Sequence, residues 1–151
     1  MKEYVAPIPR DAIARLIPHA GAMCLLDSVV NWDETSIRCV SARHRAKDNP
    51  LRQAGRVGAL CGIEFAAQAM AVHGRLAGAI GARPRAGYLA SLREVVCGCD
   101  RLDQFDGALI IEAMRLMGDE ERVMYSFSIT FEGRALVAGR ATVILQAESP
   151  P

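Results

Sequence analysis

The segment from Val57 to Ala79 is dominated by Ala, Leu, Met, Glu and Gln and is far longer than a β-strand. It predicts a helix of about five turns. The pattern is apolar nearly all round, so this helix is expected to be buried rather than to lie on a surface. Gly81 and Pro84 end it. The rest of the 151-residue chain must cover that rod.

The flanking segments read as a sheet. Ile13 and Leu16, three apart behind Asp11 as a cap, predict a short helix over Pro9 to Leu16, which the Pro18–Gly21 stretch breaks. Met23 to Val30 is an apolar run of strand length. Thr35 to Ala42 alternates, with Ile37, Cys39 and Ser41 on one face, and the two runs predict a hairpin. Arg43 to Arg56 is polar and reads as a loop. Beyond the long helix, four strands are predicted over Gly87–Val96, Ala108–Leu116, Arg122–Phe131 and Ala135–Leu145, with turns at Met117–Glu121 and Glu132–Arg134. Connections too short for crossover helices make the sheet mostly antiparallel. The expected class is α+β: a single domain over residues 1–151, with a curved antiparallel sheet wrapped around one long helix.

Composition narrows the function. Hydrophobic residues make up 51% and charged residues 23%, which excludes a disordered chain. A net charge of +1 argues against a broad nucleic-acid surface. No membrane span is expected, because Glu64, Gln68, His73 and Arg75 interrupt the most apolar stretch. Lys2, Glu3, Arg10, Asp11 and Arg15 leave no signal-peptide apolar region, so a cytoplasmic location is expected. The five cysteines include no CxxC and predict reduced thiols. No metal is expected, since Cys97 and Cys99 have no partner pair or nearby histidine.

Glu64 needs explaining. A carboxylate among Leu60, Ile63, Phe65, Ala66 and Ala67 is costly to bury unpaired. Gln68 follows one turn later on the same face, and the two suggest a polar pocket; the alternative is a salt bridge or a solvent-facing subunit edge. Gly55, Gly58 and Gly62 thin the backbone at the helix start. Free N–H groups there would stabilise a developing oxyanion, or the glycines only permit close helix–sheet packing.

Of the histidines, His73 lies nine residues after Glu64, half a turn out of phase, and reads as structural. His44, between Arg43 and Arg45, reads as solvated or anion-facing. His19 is the best general-base candidate, since a loop can aim it into a pocket. Arg43, Arg45, Lys47, Arg52 and Arg56, with Arg83 and Arg85, concentrate positive charge: a solvated face, or a dock for an acidic partner or a phosphate.

Two motifs carry a family resemblance. The run from Leu16 through Pro18-His19-Ala20-Gly21 to Leu25-Leu26-Asp27, and the run Gly62-Ile63-Glu64-Phe65-Ala66-Ala67-Gln68-Ala69-Met70, together resemble the hotdog-fold 3-hydroxyacyl-acyl-carrier-protein dehydratases, and within them the aryl-polyene subgroup. The resemblance implies a hotdog fold and a dimer whose sheets join edge to edge. It implies a tunnel at the interface for an acyl group on phosphopantetheine, with acyl carrier protein as partner and no other cofactor. By resemblance Glu64 is the acid that assists departure of the C3 hydroxyl and Gly58 lies near the oxyanion position; Gln68 and Asn49 are expected to bind substrate beside them. The family's loop histidine is absent: the matching stretch reads Asp48-Asn49-Pro50-Leu51. Either His19 or His44 is then the base, with His19 preferred, or Asn49 and Glu64 only position substrate, or the chain is a non-catalytic subunit beside an active paralogue. A hotdog thioesterase is the remaining alternative, and homodimer and heterodimer both stay open.

Overall fold

The computed structural model describes residues 4–17, 21–78 and 87–145. Its elements are β1 (Ile8–Pro9), α1 (Arg10–Leu16), β2 (Ser28–Trp32), β3 (Ser36–Ser41), α2 (Gly62–Leu76), β4 (Gly87–Cys97), β5 (Leu109–Gly118), β6 (Arg122–Phe131) and β7 (Arg134–Leu145). The strands form one sheet in the order β1-β2-β3-β5-β6-β7-β4, every neighbouring pair antiparallel. The antiparallel sheet with one long helix is the expected hotdog architecture.

A single row of side chains shows how the core is built. Ile8 pairs with Val29, Val29 with Cys39, Cys39 with Ile111, Ile111 with Ile129, Ile129 with Val137, and Val137 with Cys97. The row crosses all seven strands on one face, because paired residues point the same way from a pleated sheet. Its first six members are buried, and Cys97 is exposed. The reason is coverage: α2 packs against β3, β5 and β6, with Phe65, Ala66, Ala69 and Met70 in the core. The β4 edge of the sheet lies beyond it.

The β6–β7 hairpin turns through Glu132 at φ 48° and Gly133 at φ 81°. This is the left-handed pair that matches strand twist in a two-residue loop.

Several expectations are corrected. Pro9, not Asp11, occupies the cap position of α1, and no side chain caps it. Residues 23–27 do not form a strand; β2 begins at Ser28. The α2 rod starts later than the apolar pattern, at Gly62, after a 3₁₀ turn over Ala59–Cys61. Val57 and Ala59 pair instead with the segment before β5: Leu102 N–H donates to Val57 O at 2.8 Å, and Ala59 N–H to Asp100 O at 3.0 Å. The rod is also not buried all round. Glu64, Ala71, Gly74 and Arg75 form an exposed face.

Candidate active site

The start of α2 is held by backbone. Val57 N–H donates to Asp103 Oδ1 at 2.9 Å, and Arg101 grips the same carboxylate. That guanidinium holds the Asp103 carboxyl well below the usual carboxylate range. The amides of Ala59, Cys61 and Gly62 donate to the carbonyls of Asp100, of Gly58, and of Ala59 and Leu60. These three are therefore engaged inside the chain rather than offered to a ligand.

The two glycines here differ. A Cβ on Gly62 would stand 2.7 Å from Ile129 Cδ1 and 3.1 Å from Val137 Cγ2, so this glycine serves close helix–sheet contact. A Cβ on Gly58 would meet nothing within 4 Å, so the space before it is open.

Glu64 is exposed in the single chain, contrary to the expected apolar burial. The misreading came from Ala67, Ala71 and Gly74: they leave the run without charge in sequence, yet among the described residues no strand covers their side of the helix. None of the ion pairs among the described residues includes Glu64. Its charge is felt by Cys61 one turn earlier, whose thiol is pushed up chiefly by burial and further by that carboxylate. Leu60, 63% exposed, extends the same face.

Gln68 does not share that face. The boundary of the buried stripe falls between the two residues, and Gln68 lies inside it. Its Oε1 accepts from Leu25 N–H at 2.8 Å, and its Nε2 donates to Met23 O at 2.6 Å. A second grip comes from α1, where Arg10 Nη2 donates to Gly21 O at 2.7 Å and to Cys24 O at 2.8 Å. Ser41 Oγ bonds Leu25 O. Sequence spacing had no means of finding Arg10 or Ser41, because their partners are carbonyls of irregular chain. His19, with Pro18 and Ala20, lies outside the described residues, as do Gly81, Arg83, Pro84 and Arg85.

His44 is buried rather than solvated. Its Nε2 bonds Phe105 O at 2.8 Å; a carbonyl only accepts, so Nε2 carries the proton. Its Nδ1 is buried without a hydrogen-bond partner among the described residues. Desolvation first, then the Arg45 charge, lower its pKa. Asn49 is also buried. Its Nδ2 donates to Arg43 O at 2.7 Å and its Oδ1 accepts from Leu51 N–H at 2.8 Å, so both amide atoms shape the loop.

Three arginines of the cluster are bonded within the chain. Arg43 pairs with Asp27 at 3.2 Å, Arg45 donates to Asp103 O, and Arg52 donates to the carbonyls of His44, Ala46 and Gly55. Lys47 and Arg56 remain exposed. His73 is structural as expected: its ring joins Tyr125 Oη at 2.8 Å and Asp33 O at 2.9 Å, tying α2 to the β2–β3 turn. All five cysteines are free thiols, and burial pushes Cys39 up to about 12. Among the described residues no cluster of three His, Cys, Asp or Glu could hold a metal, and no helix is long and apolar enough to cross a membrane.

The β4 edge completes the geometry. Among the described residues it pairs only with β7 and is exposed along nearly its whole length, with Tyr88 55%, Leu92 38% and Val96 65% accessible. The chain thus presents an apolar strand with one open rim, and a helix face carrying a carboxylate.

A family model described as ApeP-like, ApeP dehydratase, matches residues 11–149. No curated protein matches the chain. Among solved structures, the dehydratase heterocomplex ApeI:P from Xenorhabdus doucetiae superposes with a TM-score of 0.80 at 24% identity, over 96% of this chain and 94% of that one. AziG from S. sahachiroi gives 0.63 at 14% identity, over 87% and 98%. A hypothetical thioesterase with coenzyme A from Streptococcus pneumoniae gives 0.58 at 12% identity, over 81% and 87%. These likenesses are likenesses of fold.

Proposed function

The chain belongs to the ApeP-like dehydratase family, and from that premise we propose that it takes part in eliminating water from a 3-hydroxyacyl thioester on acyl carrier protein, giving the trans-2-enoyl thioester of an aryl-polyene-type or fatty-acid-like synthesis. One observation carries the reading: Glu64, the only carboxylate on α2, stands exposed without an ion pair among the described residues, on a molecule whose sheet has an open apolar edge. A partner docked along β4 would cover such a site.

The chemistry needs three things. A base takes the proton from C2, an acid delivers one to the departing C3 hydroxyl, and hydrogen-bond donors steady the charge that gathers on the thioester oxygen. Glu64 serves as the acid and His19 as the base. Gly58, open in front, is the position assigned to receive the thioester oxygen. The substrate arrives on phosphopantetheine, and the elimination itself calls for no redox group. Lys47 and Arg56, exposed among the described residues, offer positive charge to an acidic carrier protein. The second protomer is a paralogous dehydratase or another copy of this chain; the heterocomplex seen for the Xenorhabdus protein favours the former.

The buried and fully engaged Asn49 amide, where the family's histidine is expected, favours one further reading: a chain that supports catalysis by its partner rather than performing it. One assay separates the possibilities. The protein is mixed with 3-hydroxyacyl thioesters, alone and with the paralogue, and enoyl absorbance and free thiol are followed together. Enoyl product that vanishes with Glu64→Gln supports the proposal. Activity that appears only with the paralogue and survives Glu64→Gln gives the supporting role, and thiol release without enoyl gives a thioesterase.

A further inference from the structure

Residues 21–27 pose a question that the sheet does not answer. They run irregularly between α1 and β2, with Cys24, Leu25 and Leu26 buried. Buried backbone must have its N–H and C=O groups satisfied. Here side chains do much of it. The Gln68 amide takes both the N–H of Leu25 and the carbonyl of Met23, while Arg10 takes the carbonyls of Gly21 and Cys24. The amide's two bonds have opposite polarity and go to alternate residues, so only a group with one donor and one acceptor side by side fills this position.

The segment so gripped follows directly on His19 in the chain. The grip comes from the helical turn next to Glu64. Four residues along a helix are about 6 Å of rise and about 40° of rotation, so the amide and the carboxylate straddle one rim of α2. We propose that Gln68 is a positioning residue: it fixes residues 21–27, the segment that follows His19 in the sequence, against the turn of helix that carries Glu64. The inference rests on the function proposed above for those two residues. Gln68 acts through the chain: its Oε1 and Nε2 are engaged by Leu25 and Met23.

Two variants test this. Gln68→Met keeps the length and loses both bonds. Gln68→Glu keeps the shape, but an ionised carboxylate would face the Met23 carbonyl, whereas a protonated one accepts from Leu25 and donates to Met23. Two charged groups share its surroundings: Arg10 from α1, which bonds the same segment, and Glu64, one turn earlier on α2. Misplacement of reacting groups by about 1 Å can cost about 100-fold. We expect Gln68→Met to lower kcat by about that factor at every pH, with KM little changed. For Gln68→Glu the ratio of its kcat to the wild-type value should climb as pH falls. Wild-type kcat in Gln68→Met, or a flat ratio in Gln68→Glu, overturns the proposal.

Hydrogen exchange supplies an arm independent of turnover. Gln68→Met should speed exchange of the Leu25 amide and its neighbours, and unchanged exchange there refutes the grip. Should the wild-type protein with its paralogue show no dehydration at all, the proposed function fails, and the exchange arm alone decides whether Gln68 holds the segment.

Discussion

Gly62 approaches Ile129 so closely that a methyl group on it would stand 2.7 Å from the Ile129 Cδ1 atom. That contact seats the first turn of α2 on the row of buried residues crossing the sheet. Gly62→Ala should therefore overpack the core, at about 1–3 kcal/mol. Gly58→Ala, four residues earlier in open space, should leave stability within about 0.5 kcal/mol. Thermal unfolding of both variants checks the contrast, and equal melting temperatures would show that the helix shifts freely to admit the methyl.

Glu64→Gln should separate activity from stability. The side chain is exposed and outside the ion pairs of the described residues, so the fold loses little. Loss of acid catalysis typically lowers turnover by about 10²–10⁴. The measurement is enoyl formation beside a melting curve. A drop in melting temperature that tracks the loss of rate would make Glu64 a structural residue.

His19→Asn and His44→Gln should behave as opposites. The first is expected to cut turnover by about 100-fold or more with melting unchanged. The second removes a buried ring that bonds Phe105 O, and should lower the melting temperature while leaving kcat of the folded fraction close to wild type. The reverse pattern would transfer the base to His44.

Stability should fall as the solution passes from neutral to mildly acid. His44 and His73 are buried, and desolvation lowers both below the ordinary 6.5. The unfolded chain then takes up their protons first. Their contribution is complete above about 6.5 and is lost as pH falls through the folded-state values. Asp103, whose carboxyl Arg101 holds well below the usual range, keeps its contribution until far more acid conditions. We expect the melting temperature to be level near about pH 7 and to decline on the acid side of about 6.5. His73→Gln should flatten part of that decline; an undiminished slope would remove His73 from the account.

Charge placed on β4 should disrupt assembly. Leu92 and Val96 are exposed on the edge strand, and a lysine there opposes strand addition. Val96→Lys should shift the protein, or its complex with the paralogue, toward single chains in sedimentation. Retention of the full assembly would move the interface elsewhere.

The sequence made some of this legible and hid the rest for identifiable reasons. The strands after the helix came within about two residues of their observed bounds, because alternation between Val123, Tyr125, Phe127 and Ile129 is a direct imprint of a one-sided sheet. The two-residue strand Ile8–Pro9 is too short to leave such a pattern. Cys24, Leu25 and Leu26 look like a strand because they are buried, yet side chains rather than a ladder satisfy their neighbourhood. Glu64 and Gln68 appeared to share a face because helical spacing gives angle but not the position of the boundary between covered and open. His44 was placed in solvent by its arginine neighbours, when those arginines turn to carbonyls and carboxylates of the chain and leave the ring inside.

An eleven-residue strand with an unsatisfied rim has a consequence for supply as well as for chemistry. Bare edges recruit one another, and recruitment without a proper mate ends in precipitate. Under the proposed pairing with a paralogous subunit that caps the rim, a cell making this chain has to keep its numbers matched to that partner's, and dosage is then set by the company the chain keeps rather than by how much turnover is wanted.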